Sequence, residues 1–372
     1  MPPADLAREP MLEALELAAQ AIGRSDPNPR VGCVICAHDG RVIGRGSTQA
    51  AGQAHAEVMA LRDAQVRGES VGGATVHVTL EPCSHHGRTP PCCDALIAAG
   101  VARVEFAVQD PNPQVSGEGE RRLRAAGIAV QVAKRHEPAA VELNIGFFSR
   151  MQRGRPWVRL KAAVTLDGRT ALPNGTSQWI TGDPAREDGH RYRKRAGAVL
   201  TGVGTVLDDD PRLDVRHVQT ELQPRRVIVD SRLDTPLTAR ILKPPGSALV
   251  YAAQADAQRI AALRAIGVDV QLAPGAGGKV DLAAMLDDLA RRDVNELHVE
   301  AGHKLNGSFV REGLVDEFLI YMAPKLFGQG RELAAFGPLE SIQAGPSLRL
   351  VNVVQIGEDL RIVARRVAPG LS

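Results

Sequence analysis

The chain has 372 residues, of which 44% are hydrophobic, 3% aromatic and 24% charged, and its formal net charge is +2. That length allows two or three domains with cores of their own, while near-neutral charge and few aromatics argue against the basic grooves and stacking platforms of nucleic-acid binders. Five cysteines, odd in number and without disulfide-framework spacing, point to a reducing, cytoplasmic setting, and no apolar run is long enough to span a bilayer.

The opening Met1-Pro2-Pro3-Ala4-Asp5 lacks the basic start and apolar core of a signal peptide. An amphipathic helix is predicted over 5–23, apolar at Leu12, Leu15 and Ile22, followed by strands at 31–37 and 41–46. Cys33-Val34-Ile35-Cys36 matches the C-x-x-C of redox or zinc pairs. In a continuous apolar strand, however, residues three apart face opposite sides, so packing is expected. A helix carrying His55 and Glu57 comes next, then a strand at 74–80 running into Glu81-Pro82-Cys83, and an apolar helix at 92–100 opened by Cys92. Strands at 101–107 and 128–132 flank a helix near 117–126, which in outline is a three-layer α/β sandwich.

Two separated pieces of this block read as one zinc site, His55-Ala56-Glu57 and the stretch from Glu81-Pro82-Cys83 to Thr89-Pro90-Pro91-Cys92. A neutral imidazole and two thiolates leave tetrahedral Zn²⁺ one open position, where water becomes a nucleophile near neutral pH. A carboxylate two residues from the histidine can move its protons, which assigns His55, Cys83 and Cys92 to one zinc per chain and Glu57 to acid–base work. H-x-E followed by P-C-x-x-C is the mark of zinc deaminases; here eight residues instead of two separate the cysteines. A lone His-x-Glu on a helix, or a pair of buried cysteines, is ordinarily structural; order, Pro82 and the Thr-Pro-Pro turn together favour metal. Cys92 at a helix start is suited to a thiolate, whereas Cys93, turned about 100° away, is expected to pack. His85 and His86 are assigned to substrate contact or loop shaping.

Arg150, Arg153, Arg155 and Arg159 surround Gly154 and Pro156 and read as a solvated join, placing domains at 1–152 and 153–372. A second block follows: a strand at 157–165, a turn at Asp167-Gly168, and a helix opened by Thr181-Gly182-Asp183-Pro184. Buried parallel strands are predicted at 198–201, 226–230, 248–251 and 296–300, with helices at 254–266 and 281–291. The stretches 315–323 and 348–367 read as a long antiparallel hairpin or edge. No Gly-x-Gly-x-x-Gly opens a first βα unit, so a Rossmann assignment is unsupported. Two glycine-bearing turns, 201–205 and 300–308, either offer N–H groups to phosphate or are ordinary strand-to-helix turns.

His55-Ala56-Glu57, the long cysteine loop, Asn28-Pro29-Arg30-Val31-Gly32 and Asp110-Pro111-Asn112-Pro113 resemble the bifunctional riboflavin-biosynthesis pyrimidine deaminase/reductases. The resemblance continues through Lys161–Arg169, Ser177-Gln178-Trp179-Ile180-Thr181 and Gly204–Pro211, and so spans nearly the whole chain. Cytidine and tRNA-adenosine deaminases share the first motif only. The resemblance implies a cytidine-deaminase-like sandwich followed by a dihydrofolate-reductase-like α/β domain. It also implies a phosphorylated ribosylaminopyrimidine substrate and assembly into a homo-oligomer through the reductase domain. By the same matching, Ala163, Trp179, Thr205, Asp209, Ser231 and Gly302, His303, Lys304, Leu305, Asn306, Gly307 and Ser308 bind NADPH, while Ser177, Arg193, Leu213, Arg216 and Glu300 hold substrate. Arg193 and Arg216 can fork onto a phosphate, Glu300 can orient substrate or assist proton transfer, and Arg232 is a candidate for the 2′-phosphate of NADPH. The rival readings are a nucleoside or tRNA deaminase with an accessory domain, a deaminase without reduction, and a zinc-stabilised binding module.

Overall fold

The computed structural model describes residues 9–85, 89–113 and 115–367, and the chain divides into two compact units, Met1–Gly154 and Arg155–Ser372. His86 lies outside the described residues, as does the start of the helix predicted over 5–23.

In the first unit the strands are β1 (Gly32–Cys36), β2 (Val42–Ser47), β3 (Thr75–Val78), β4 (Arg103–Phe106) and β5 (Ala129–Val132), in sheet order β2-β1-β3-β4-β5. The helices are α1 (Pro10–Ala19), α2 (Ala56–Val66), α3 (Cys92–Ala98), α4 (Glu118–Ala125), α5 (Glu137–Leu143) and α6 (Ile145–Arg153). Helices cover both faces of the sheet, the expected three-layer sandwich. Glycine sets how closely they approach. A Cβ on Gly32 would lie 1.9 Å from the Ala14 carbonyl of α1, and one on Gly46 would lie 2.2 Å from the Ala56 carbonyl of α2. Gly46 thereby seats the first turn of α2, which bears Glu57, directly on the sheet. Cys33 and Cys36 are both buried in β1; Cys36 is raised to about 11 by burial and Glu13 of α1, and Cys33 is raised by burial and Glu57 of α2. The strand therefore points them to opposite faces, as packed thiols.

The second unit is built on a nine-stranded sheet of order β11-β10-β9-β8-β12-β6-β13-β16-β15. Its strands are β6 (Trp157–Thr165), β8 (Ala198–Gly202), β9 (Arg225–Val229), β10 (Ala248–Ala252), β11 (Asp269–Leu272), β12 (Glu296–Val299), β13 (Glu317–Ala323), β15 (Leu348–Ile356) and β16 (Asp359–Arg366). A separate ribbon pairs β7 (Arg169–Ala171) with β14 (Arg331–Glu332). The strands from β11 to β13 run parallel, and β13, β16 and β15 form the antiparallel edge. Among the described residues the α-helices of the unit are α7 (Asp183–Arg195), α8 (Val203–Asp209), α9 (Ala257–Ala265), α10 (Leu282–Arg291) and α11 (His303–Arg311). Met285, Leu286 and Leu289 of α10 pack with Leu160, Leu200, Val227 and Leu297 on one sheet face, while Ala185 of α7 packs with Leu319 and Tyr321 on the other.

The arginine-rich join departs from the solvated reading. Arg150 and Arg153 belong to α6, whose Phe147 and Phe148 are buried, and Arg155 pairs with Asp316 at 2.8 Å. Arg159 is only 2% exposed in β6, where it donates to Glu296 at 2.9 Å and to Glu317. A buried guanidinium is tolerable only with such partners, and they lie more than a hundred residues downstream, out of reach of local sequence.

Candidate active sites

In the first unit His55 is the N-cap residue of α2, Cys83 sits in the loop after β3, and Cys92 opens α3. The His55 Nδ1, Cys83 Sγ and Cys92 Sγ atoms all lie within 4.8 Å of one another, the one such cluster among the described residues. Nδ1 is 3.6 Å from Cys83 Sγ and 3.3 Å from Cys92 Sγ. The Cys92 backbone N–H donates to Cys83 Sγ at 3.3 Å, so the start of α3 stabilises a thiolate. The two sulfurs are coupled: the hydrogen bond with Cys92 pulls Cys83 down to about 4, with His55 adding to it, and pushes Cys92 up. One soft nitrogen and two sulfurs, partly to fully buried, fit a zinc ion with an open fourth position.

Glu57 is 4% exposed in the first turn of α2, and its carboxyl is raised first by burial and then by Cys83. A carboxyl held above its ordinary range beside a metal can both take and return a proton. Thr89 Oγ1 lies 3.4 Å from His55 Nε2, a contact that orients the imidazole. Glu81, which sequence reasoning treated only as part of a motif, accepts from the backbone N–H groups of Asp110, Gly117 and Glu120 at 3.2, 3.0 and 3.1 Å. It ties the loop bearing Cys83 to the start of α4. Burial and the neighbouring Glu81 raise Asp110 to about 7 even though its carboxylate accepts from Asn112 N–H. Cys93 faces elsewhere, donating to the Pro82 carbonyl at 3.3 Å, and His85 is exposed.

In the second unit a cleft of about 2050 Å³ opens at the carboxyl ends of the parallel strands, where open α/β sheets bind ligands. Ala163, Ser177, Trp179, Arg193, Thr205, Asp209, Leu213, Arg216, Ser231, Arg232, Glu300, Gly302, His303, Lys304, Leu305, Asn306 and Ser308 all line it. Gly307 does not: a Cβ there would lie 2.0 Å from the Ala335 carbonyl, so this glycine serves packing of α11. The two glycine-bearing turns prove to be helix starts, with Gly202 capping α8 and Gly302 capping α11. Both open onto the cleft, a geometry suited to phosphate groups. Trp179 is 60% exposed beneath the Arg186 guanidinium, 4.5 Å from its ring centre.

Glu300 is the electrostatic centre of this cleft. Burial alone would raise its carboxyl, but Arg193 and Lys161 hold it well below the usual carboxylate range. Arg193 grips it through Nε and Nη2, the latter at 3.0 Å, and Lys161 Nζ lies 3.7 Å away. The fork of Arg193 that sequence reasoning aimed at a phosphate is thus occupied by Glu300, and its Nη1 donates to the Asp214 carbonyl at 2.9 Å. Lys161, which lines the cleft, was not singled out from the sequence; its signal is a second charged residue within the strand run Val158-Arg159-Leu160-Lys161-Ala162. Arg232, exposed and paired with Asp234 at 2.9 Å, remains at the rim.

Comparison with known proteins bears on both sites. Residues 6–108 match the model of the cytidine and deoxycytidylate deaminase zinc-binding region, and residues 156–362 match that of the RibD C-terminal domain. The chain is 44% identical to the riboflavin biosynthesis protein RibD of Escherichia coli K12, over 94% of this chain and 96% of that one. Identity to RibD of Aquifex aeolicus is 42%, over 95% and 96%. Among solved structures, Acinetobacter baumannii RibD superposes with a TM-score of 0.88 at 41% identity, covering 96% of this chain and 98% of that one. The Thermotoga maritima diaminohydroxyphosphoribosylaminopyrimidine deaminase/5-amino-6-(5-phosphoribosylamino)uracil reductase superposes with a TM-score of 0.85 at 34% identity, with the same coverage. Two sites on two units, matched end to end by proteins of one kind, place this chain in the RibD family of riboflavin-biosynthesis proteins.

Proposed function

We propose that the chain carries out two consecutive steps of riboflavin biosynthesis, each in its own unit. Met1–Gly154 deaminates a diaminopyrimidinone bearing a ribosylamino phosphate, and Arg155–Ser372 reduces the ribosyl group to ribityl with NADPH. The observation that carries the reading is the triangle of His55, Cys83 and Cys92 beside buried Glu57, in a chain of this family. His55, Cys83 and Cys92 would hold zinc, which when bound would acidify a water for nucleophilic attack. Glu57 accepts that nucleophile's proton and delivers it to the departing amine, while Thr89 keeps the imidazole in place.

In the second unit NADPH, when bound, would supply hydride to C1′ of the ring-opened imine form of the ribosylamino group, whose nitrogen takes up a proton from water. Thr205, Asp209, Ser231, Ala163, Trp179 and the first turn of α11, which all line the cleft, would hold the cofactor. Ser177, Leu213 and Arg216 hold substrate, and Glu300, fixed by Arg193 and Lys161, orients the reacting sugar. A cytoplasmic location belongs to the same proposal: all five cysteines are free, and among the described residues no helix is long and apolar enough to cross a membrane. So does a homo-oligomer formed through the second unit. Leu348, Leu350 and Val353 of β15 share one sheet face with Leu360 of β16 by their register, and all four are exposed, an apolar surface that a second copy would cover.

The test is ammonia release from the diaminopyrimidinone ribosyl phosphate without NADPH. Release that depends on bound zinc supports the reading. Release from cytidine or RNA instead, or none from the zinc-loaded protein, would replace it with one of the rival deaminase or binding-module readings.

A further inference from the structure

The segment 213–217 carries two proposed substrate residues, Leu213 and Arg216, and it is held tightly. Leu213 is buried at φ +50°, left-handed backbone that a branched side chain adopts only under constraint. Val215 exchanges hydrogen bonds of 2.9 and 2.8 Å with the Gln223 amide. The third tie is to His190 of α7, 4% exposed and lining the cleft: the Arg216 backbone N–H donates to His190 Nδ1 at 3.2 Å.

That tie fixes the imidazole's chemistry. A backbone N–H only donates, so Nδ1 holds a lone pair, and in the neutral ring the hydrogen sits on Nε2. Burial, with Arg193 and Arg216 adding to it, pulls the group down to about 3, and the edge-on ring of His217 also opposes a proton while Glu300 favours one. Arg193 Nη1 lies 3.5 Å from Nε2, and a guanidinium has no lone pair to accept with. Two donors, the His190 Nε2–H and the second hydrogen of Arg193 Nη1, therefore meet at the cleft wall. Arg216 contributes a third, 40% exposed and tethered to Asp214 at 2.8 Å. Arg193 Nη1 and Arg216 each give one hydrogen to Asp214, and the hydrogens left over converge with the His190 Nε2–H where an anionic oxygen would accept them. Because Glu300 occupies the main fork of Arg193, a phosphate there needs the histidine.

We infer that His190 is a neutral hydrogen-bond donor to the phosphate of the reductase substrate, acting through Nε2–H beside Arg193 Nη1 and Arg216. The inference rests on the reductase reading above. Two measurements test it. In the full-length protein, nitrogen-15 spectra of the histidine rings should show His190 with a protonated Nε2 and a bare Nδ1. Ribose 5-phosphate should shift that Nε2–H, and ribose should not. His190→Asn keeps an acceptor near the Nδ1 position and removes the Nε2 donor, so the 213–217 segment should hold. The variant should raise KM for the phosphorylated uracil intermediate about 10- to 100-fold, the loss expected for one hydrogen bond to a charged group, with kcat near that of the parent. His190→Leu, which also loses the acceptor, should lower kcat as well. A ring protonated on Nδ1, an Nε2–H indifferent to ribose 5-phosphate, or a parental KM in the folded Asn variant would each overturn the inference. If the parent protein does not oxidise NADPH with the intermediate, the reductase reading falls, and the ring spectra with ribose 5-phosphate still decide the phosphate contact.

Discussion

Cys92 and Cys93 are chain neighbours with different duties, and the difference is one of direction. Cys92 Sγ faces His55 and Cys83, whereas Cys93 Sγ donates to a carbonyl and is raised to about 12 by burial. Cys92→Ser should strip zinc and ammonia release together, while Cys93→Ser should keep both, as metal analysis beside an activity assay will show. Full zinc occupancy in Cys92→Ser would remove Cys92 from the ligand set. Glu57 is separable from the metal: Glu57→Gln should retain zinc and slow deamination by about 10²- to 10⁴-fold, the usual worth of a positioned acid–base group. Near-parental turnover in the zinc-loaded variant would take Glu57 out of the mechanism. These residues were legible because their chemistry is local, with a ligand type, a spacing and a helix start. Glu81, Lys161 and His190 were not, since each acts through backbone or side-chain partners between 26 and 139 residues away.

At the scale of elements, alternation and apolar runs located nearly every strand of both sheets, because burial on one or two faces imposes a period the chain cannot hide. What they missed has a physical reason. Strand β11 is only four residues long, α5 is a short helix with no predicted counterpart, α6 leads into the arginine-bearing join that was read as solvated, and within the correctly predicted β6 the burial of Arg159 depends on distant carboxylates. Glu317 is buried, which acts to raise its carboxyl, but Arg159 and then Arg365 bring it below the ordinary value. A depressed carboxylate stabilises the fold above its unfolded pKa and loses that contribution as pH falls through the lower folded value. Thermal stability of the second unit should therefore drop on acidification below about pH 4 to 5. Glu317→Gln should lower stability at pH 7 by about 3–5 kcal/mol, the cost of unpairing a buried ion, and weaken the acid dependence in melting curves. An unchanged curve would mean Arg159 finds enough in Glu296 alone. At the β15 edge of the same sheet, Val353→Lys should shift sedimentation toward the monomer if β15 forms the interface between copies; an unchanged sedimentation coefficient would place that interface elsewhere.

For the whole molecule, zinc ligands and hydride chemistry fall on either side of Gly154. The proposed metal ligands all precede it, and every residue lining the large cleft follows it. A fragment beginning at Pro156 should fold around its own sheet and bind NADPH without zinc; calorimetry that finds no binding to a folded fragment would assign the cleft another ligand. The boundary between 152 and 153 was expected from a polar, helix-breaking join, and the two compact units meet at Gly154 and Arg155; cofactor contacts in the second unit came only through resemblance, because its cleft-facing turns follow no general glycine fingerprint. The central claim is that two sites act in sequence on one substrate. The most direct measurement follows ammonia release and NADPH absorbance together, with the diaminopyrimidinone ribosyl phosphate, for the parent protein and for Glu57→Gln. The account predicts that in the parent one NADPH is consumed per ammonia released, after a lag, and that Glu57→Gln loses both signals yet reduces added deaminated intermediate at the parental rate. NADPH oxidation by Glu57→Gln on the diamino substrate, without ammonia, would contradict it.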